Sequence, residues 1–72
     1  MLTIPFHKNL YTPEHLESAI EQFKDLGSLS LTSRGKYHHV RIDHTDQIED
    51  LDRFVNEFKN YVLYLEISHA TI

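Results

Sequence analysis

The stretch Arg53-Phe-Val-Asn-Glu-Phe-Lys-Asn-Tyr-Val-Leu-Tyr-Leu-Glu66 opens as an amphipathic helix and turns almost wholly apolar after Asn60. Whether it stays helical decides the fold. The positions expected on one helical face, Ile48, Leu51, Phe54, Val55, Phe58, Tyr61, Val62 and Leu65, are all apolar, and the pattern does not break at Asn60. Just upstream, Asp46-Gln-Ile-Glu49 resembles a capping box with Asp in place of Ser or Thr, so a helix is predicted from Gln47 to about Ile67. The alternative ends the helix near Asn60 and makes Val62-Leu-Tyr-Leu-Glu-Ile67 a fourth strand, the βαββαβ order of a ferredoxin-like domain. That break would leave a connection of one or two residues without Gly or Pro, shorter than such loops commonly are.

Upstream, Leu2-Thr-Ile-Pro-Phe-His7 alternates, with Leu2, Ile4 and Phe6 on one face and Thr3, Pro5 and His7 on the other. Pro5 lacks an amide donor and marks an edge strand. Tyr11-Thr-Pro-Glu-His-Leu16 then carries a helix start: Thr12 as cap, Pro13 at the first helical position, Glu14 at the positive end of the dipole and Tyr11 stapled onto Leu16. Leu16, Ala19, Ile20 and Phe23 follow at helical spacing with Leu26 close to the same face, and Gly27 is expected to end the helix in a left-handed conformation. Residues 28–33 and 36–43 alternate about Arg34-Gly35, where glycine supplies the positive φ of a tight hairpin. Leu29 and Leu31 should share a face with Val40 and Ile42. The expected fold is a two-layer α+β domain, βαββα, whose three-stranded sheet is covered on one face by two helices.

Seventy-two residues make one domain, since a chain this short buries too little surface for two cores. With 40% hydrophobic and 25% charged residues it has the composition of a soluble globular protein. The absence of cysteine excludes disulfides and thiolate metal sites and fits the cytoplasm better than secretion. Neither a signal-peptide pattern nor a long apolar span is present, so no membrane association is expected. A formal charge of −4 with scattered basic residues argues against a general nucleic-acid binder, which needs clustered Lys and Arg.

A helix from 47 to 67 would be about 30 Å long, against roughly 20–23 Å for strands of this length. Its last turns should therefore overhang the sheet. Tyr61, Val62, Leu63, Tyr64, Leu65 and Ile67 surround nearly the whole helix there, and an all-apolar helix is normally buried, so this end is expected to pack on a second copy or another protein. A second candidate surface is the uncovered sheet face: Thr3, Pro5 and His7 with Ser30, Thr32, Tyr37, His39 and Arg41. Tyr37, His39 and Arg41, at alternate positions of one strand, form an aromatic and cationic row suited to stacking on a peptide or a base. Strand edges offer backbone pairing to an extended peptide. The expected partner is a protein or peptide, with a homodimer or structural homo-oligomer and a sheet-face RNA contact as alternatives.

A short strand ending at Phe6, the Leu10-Tyr11-Thr12 lead into a helix with Ala19 and Phe23, a hairpin closing on Val40-Arg-Ile42, and Glu57-Phe-Lys-Asn60-Tyr-Val-Leu63 together resemble the small D-type proteins of the His-Xaa-Ser peptide-maturation system. The resemblance covers most of the chain and is densest in the Glu-Phe-x-Asn segment. It implies an accessory role beside radical-SAM enzymes that act on a ribosomally made peptide, with no activity of its own established. None of the six histidines is followed two residues later by Ser, so the chain is not the repeat-bearing component.

Six histidines invite a metal, since neutral imidazole is a common ligand. Their spacing matches no ligand motif: His38 and His39 point to opposite sides of a strand, and His7, His15, His44 and His69 fall in other regions. Only His39, Asp43, His44 and Asp46 fall near one strand end, and no metal or other cofactor is expected. Catalysis is not expected either, because there is no cysteine nucleophile or phosphate loop. The carboxylates Glu14, Glu17, Glu21, Glu49, Asp50, Asp52 and Glu57 read as solvated helix faces.

Overall fold

In the computed structural model, which describes residues 1–70 and the side chains of residues 1–68, the chain runs β1 (Leu2–His7), α1 (Pro13–Phe23), β2 (Ser28–Arg34), β3 (Tyr37–Asp43) and α2 (Leu51–Ala70). The strands form one antiparallel sheet in the order β1-β3-β2. Residues 61–67 lie inside α2, so the fourth strand of a ferredoxin-like order is absent from the described residues. The helical period across Asn60 is what the backbone follows.

The hairpin brings the expected faces together, but its turn is Gly35-Lys36 rather than Arg34-Gly35, so β2 runs on to Arg34 and β3 starts at Tyr37. Leu29 faces Ile42 and Leu31 faces Val40, and Arg34 faces Tyr37 across a two-residue turn in which Gly35 has φ +60°. A positive φ at the first turn position only is the type II′ pattern, which suits the twist of the flanking strands. On the other side of β3, Ile4 lies opposite Val40 and Phe6 opposite His38. The inward residues Ile4, Phe6, Val40 and Ile42 therefore make one apolar surface, buried under Leu16, Ala19 and Phe23 of α1 and Phe54, Phe58 and Val62 of α2. His38 is also buried on this side, its Nδ1 2.6 Å from the Ser33 hydroxyl.

Helix boundaries depart from the expected ones. Asp46 does not open α2. His44 takes a left-handed conformation (φ 55°), a short 3-10 turn follows over Thr45–Gln47, and Ile48 is extended. The helix begins at Leu51 with Asp50 as its cap: the Asp50 carboxylate accepts the Arg53 N–H at 3.1 Å and its carbonyl accepts the Phe54 N–H at 3.0 Å. The irregular segment leaves Ile48 partly buried against the core.

Gly27 is likewise not a left-handed terminator. α1 ends at Phe23 with a right-handed cap at Lys24, and Leu26 sits in the turn beyond, 63% exposed rather than on the core face. What Gly27 provides is room, since a Cβ there would stand 3.1 Å from the end of the Phe54 ring. Thr12 occupies the expected cap position with Pro13 behind it, but its hydroxyl makes no capping bond within α1.

Phe58 is fully buried and meets Phe6 and Phe23 edge to face, at centroid distances of 6.2 and 5.4 Å. Phe58→Ala should cost about 3–5 kcal/mol by loss of transfer energy and a residual cavity. Gly35→Ala, which opens no cavity and meets no neighbour, should cost less, about 1–3 kcal/mol, through the positive φ. Urea unfolding followed by circular dichroism separates the two.

Candidate interaction surfaces

Alternation in three paired strands brings Thr3, Pro5 and His7 together with Ser30, Thr32, Arg34, Tyr37, His39 and Arg41 on the face away from the helices. Cross-strand rows are Thr3–Arg41–Ser30, Pro5–His39–Thr32 and His7–Tyr37–Arg34. Tyr37 is 42% exposed, with His7 edge-on at 5.2 Å and His39 tilted at 6.3 Å. Arg41 is exposed and its Nε donates to Asp43 at 2.9 Å. Thr3, Thr32, Arg34, His39 and Arg41 bound an open trough of about 350 Å³. Arg34, outside the row expected from β3 alone, joins it because the two-residue turn sets Arg34 directly across from Tyr37.

The second surface is smaller than the sequence suggests. Of the six residues expected on it, Val62 is fully buried and belongs to the chain's own core, and Tyr61 and Leu65 are half-buried. The reason is that α1 lies antiparallel beside α2 and covers it: Phe23 contacts Phe54, Phe58 and Tyr61, and the start of α1 meets Glu66. Leu63, Tyr64 and Ile67 remain outward, 46%, 62% and 53% exposed. Spacings of three and four residues place these three on one strip of the helix.

That same outward face carries Asp52, Arg53, Asn56, Glu57 and Asn60 nearer the start of α2, all exposed. There Arg53 Nε donates to Glu57 at 3.0 Å, a solvated pair one helical turn apart. The face thus changes from charged to apolar beyond Asn60.

Glu66 is the contact-making polar group that sequence reasoning missed. Its Oε1 accepts the Thr12 N–H at 2.5 Å and lies 2.8 Å from His15 Nδ1, while Oε2 is 3.4 Å from the Thr12 hydroxyl. A carboxylate from α2 thereby supplies the capping that Thr12 does not, at the positive end of the α1 dipole. Burial pushes this carboxyl up, but the Thr12 amide, His15 and the Thr12 hydroxyl outweigh it and hold Glu66 below its ordinary value of 4.5. The signal available beforehand was that Glu66 is the sole charged residue among residues 61–67.

Among the described residues, no three His, Asp or Glu side chains come together as a metal-binding group. The His69 side chain lies outside the described ones. His39, Asp43, His44 and Asp46 are not gathered into such a group either. No helix among the described residues is long and apolar enough to cross a membrane.

The class these features define is a small two-layer α+β domain with one sheet face left open and an apolar strip at one helix end. Comparison with protein-family models, curated proteins and solved structures gives no match to this chain.

Because the folded state holds the Glu66 proton more weakly than the unfolded chain does, its contribution is present above pH 4.5 and is lost as pH falls through the lower folded value. Glu66→Gln should destabilise the protein by about 1 kcal/mol at neutral pH. Its stability should also fall less steeply than that of the parent below pH 4.5. Urea titrations at a series of acidic pH values measure both.

Proposed function

We propose that the protein is a non-enzymatic protein- or peptide-interaction module, acting in the cytoplasm, that docks a protein partner on the apolar end of α2. One observation carries this reading: the outward face of α2 is charged up to Asn60 and then presents Leu63, Tyr64 and Ile67 to solvent. A helix needing only to cover its own sheet gains nothing from apolar residues on the far side, whereas a docked partner buries them at about 25 cal/mol per Å². The absence of cysteine supports the cytoplasmic placement.

The resemblance to D-type proteins of the His-Xaa-Ser system narrows the proposal to an accessory role beside a radical-SAM maturation enzyme. Within the Glu57-Phe-Lys-Asn60 motif, Phe58 is spent on the core. Asn60 is exposed on α2, immediately before the apolar strip.

Leu63→Asp combined with Tyr64→Asp should leave unfolding free energy within about 0.5–1 kcal/mol of the parent while abolishing partner binding or self-association. Val62→Asp should instead unfold the domain, because it buries an unpaired charge. Leu65→Asp should fall between, since Leu65 is half-buried. Thermal melts with sedimentation velocity, alone and with the co-expressed maturation enzyme, distinguish a second copy from a different partner. A parent protein that sediments as a monomer alone and also with the enzyme would overturn the reading.

A further inference from the structure

The charges of the chain are divided between its two layers. Residues 1–12 and 28–44, the sheet and its ends, carry Lys8, Arg34, Lys36 and Arg41 against Asp43 alone, a net +3. Residues 13–27 and 45–72 carry ten carboxylates against Lys24, Arg53 and Lys59, a net −7. Two of the four basic side chains of the sheet layer, Arg34 and Arg41, lie on the face the helices leave open, and Lys8 and Lys36 lie in turns at the ends of the strands.

Within that face both arginines and His39 bound the trough of about 350 Å³. Arg41 is held by Asp43 through Nε, which leaves its two terminal nitrogens for another oxyanion. Among the described residues no carboxylate pairs with Arg34. β2 brings Arg34 to an outer edge of the sheet, and its seven residues contain no proline. The opposite edge, β1, has Pro5 in mid-strand and offers a poorer ladder. On β2 the open-face side chains Ser28, Ser30 and Thr32 are short, so a long acidic side chain from a neighbouring strand reaches across them toward β3.

We propose that the open sheet face takes an extended acidic peptide segment, laid beside β2 with alternate carboxylates turned over the trough onto Arg34 and Arg41. Backbone pairing along the edge sets the register, and the two guanidinium groups select the charge. The observations favour this occupant over two others. Stacking successive RNA bases needs free ring faces, and here the three rings on the face are packed on one another, His7 edge-on to Tyr37 and His39 tilted against it. A second copy packed sheet to sheet would set a +3 layer against a +3 layer.

This deepens the interaction-module reading by naming a partner chemistry, and it uses a surface separate from the apolar strip of α2. The test is fluorescence anisotropy at low ionic strength with a labelled peptide of alternating Thr and Glu, as long as β2. Matched Thr-Lys and Thr-Gln peptides and an oligouridylate are run beside it. The Glu peptide should bind saturably and the other three should not, with the largest amide shifts by NMR in residues 28–34. Arg34→Glu with Arg41→Glu should weaken the Glu peptide about tenfold or more and create binding of the Lys peptide, a gain that a misfolded variant cannot show. Leu63→Asp should leave Glu-peptide binding unchanged, so loss of the α2 surface and loss of this one are read separately. Absence of Glu-peptide binding, equal binding of the Glu and Gln peptides, insensitivity to the arginine reversals, or sensitivity to Leu63→Asp would each overturn the proposal. Tighter binding of the oligouridylate would overturn it in favour of nucleic acid.

Discussion

The Phe58 ring touches Phe6 of β1 and Phe23 of α1 while standing on α2, so a single side chain joins the sheet to both helices. Edge-to-face packing of three rings fixes more than distance, because each ring's orientation depends on the others. Phe23 extends the contact to Phe54 and Tyr61, and Phe6 extends it to Tyr11 ahead of α1. Gly27 belongs to the same constraint from the outside, since a side chain there would press on the end of the Phe54 ring at 3.1 Å and push it by a few tenths of an ångström. With so few residues in the chain, this aromatic joint sets where α2 lies against the sheet and against α1.

Because Phe23 pairs with the middle of α2, the start of α1 falls opposite the end of α2. Glu66 then reaches the unsatisfied amide of Thr12, and the two helices close on each other at both ends, by rings at one and by charge at the other. The consequence for function is subtractive. Val62 and much of Tyr61 and Leu65 are used internally, and what α2 leaves exposed is the narrower strip of Leu63, Tyr64 and Ile67.

Local periodicity made the strands, the inward faces of the hairpin and the continuity of α2 legible in the sequence, because each is decided by neighbours within one turn or one ladder step, while the turn itself falls one residue later than expected, at Gly35-Lys36. The start of α2 was not. Asp46 and Asp50 are both acceptable caps by local chemistry, and the choice depends on the His44 backbone and on seating Ile48 against the core. Gly27 was misread for a similar reason: its location after a helix suggests a cap, while its real constraint is the Phe54 ring from a distant segment. In the apolar end of α2, periodicity identified the buried side but not how far α1 would support it. Glu66 and Thr12 are 54 residues apart, and no pattern in either segment names the other.

The two surfaces left over face opposite ways, one on the outside of α2 and one on the far side of the sheet. They also differ in kind, the first apolar and the second basic and polar. Packed layers lie about 10 Å apart. With side chains extending outward from each layer, the charges on the two outer surfaces are separated by more than the roughly 8 Å screening length of physiological salt. At physiological salt the acidic helical layer is therefore partly screened from the sheet face, even though it dominates the net charge of −4. An overall acidic composition is thus compatible with a locally anion-seeking face, and the geometry allows that face and the helix end to be occupied together.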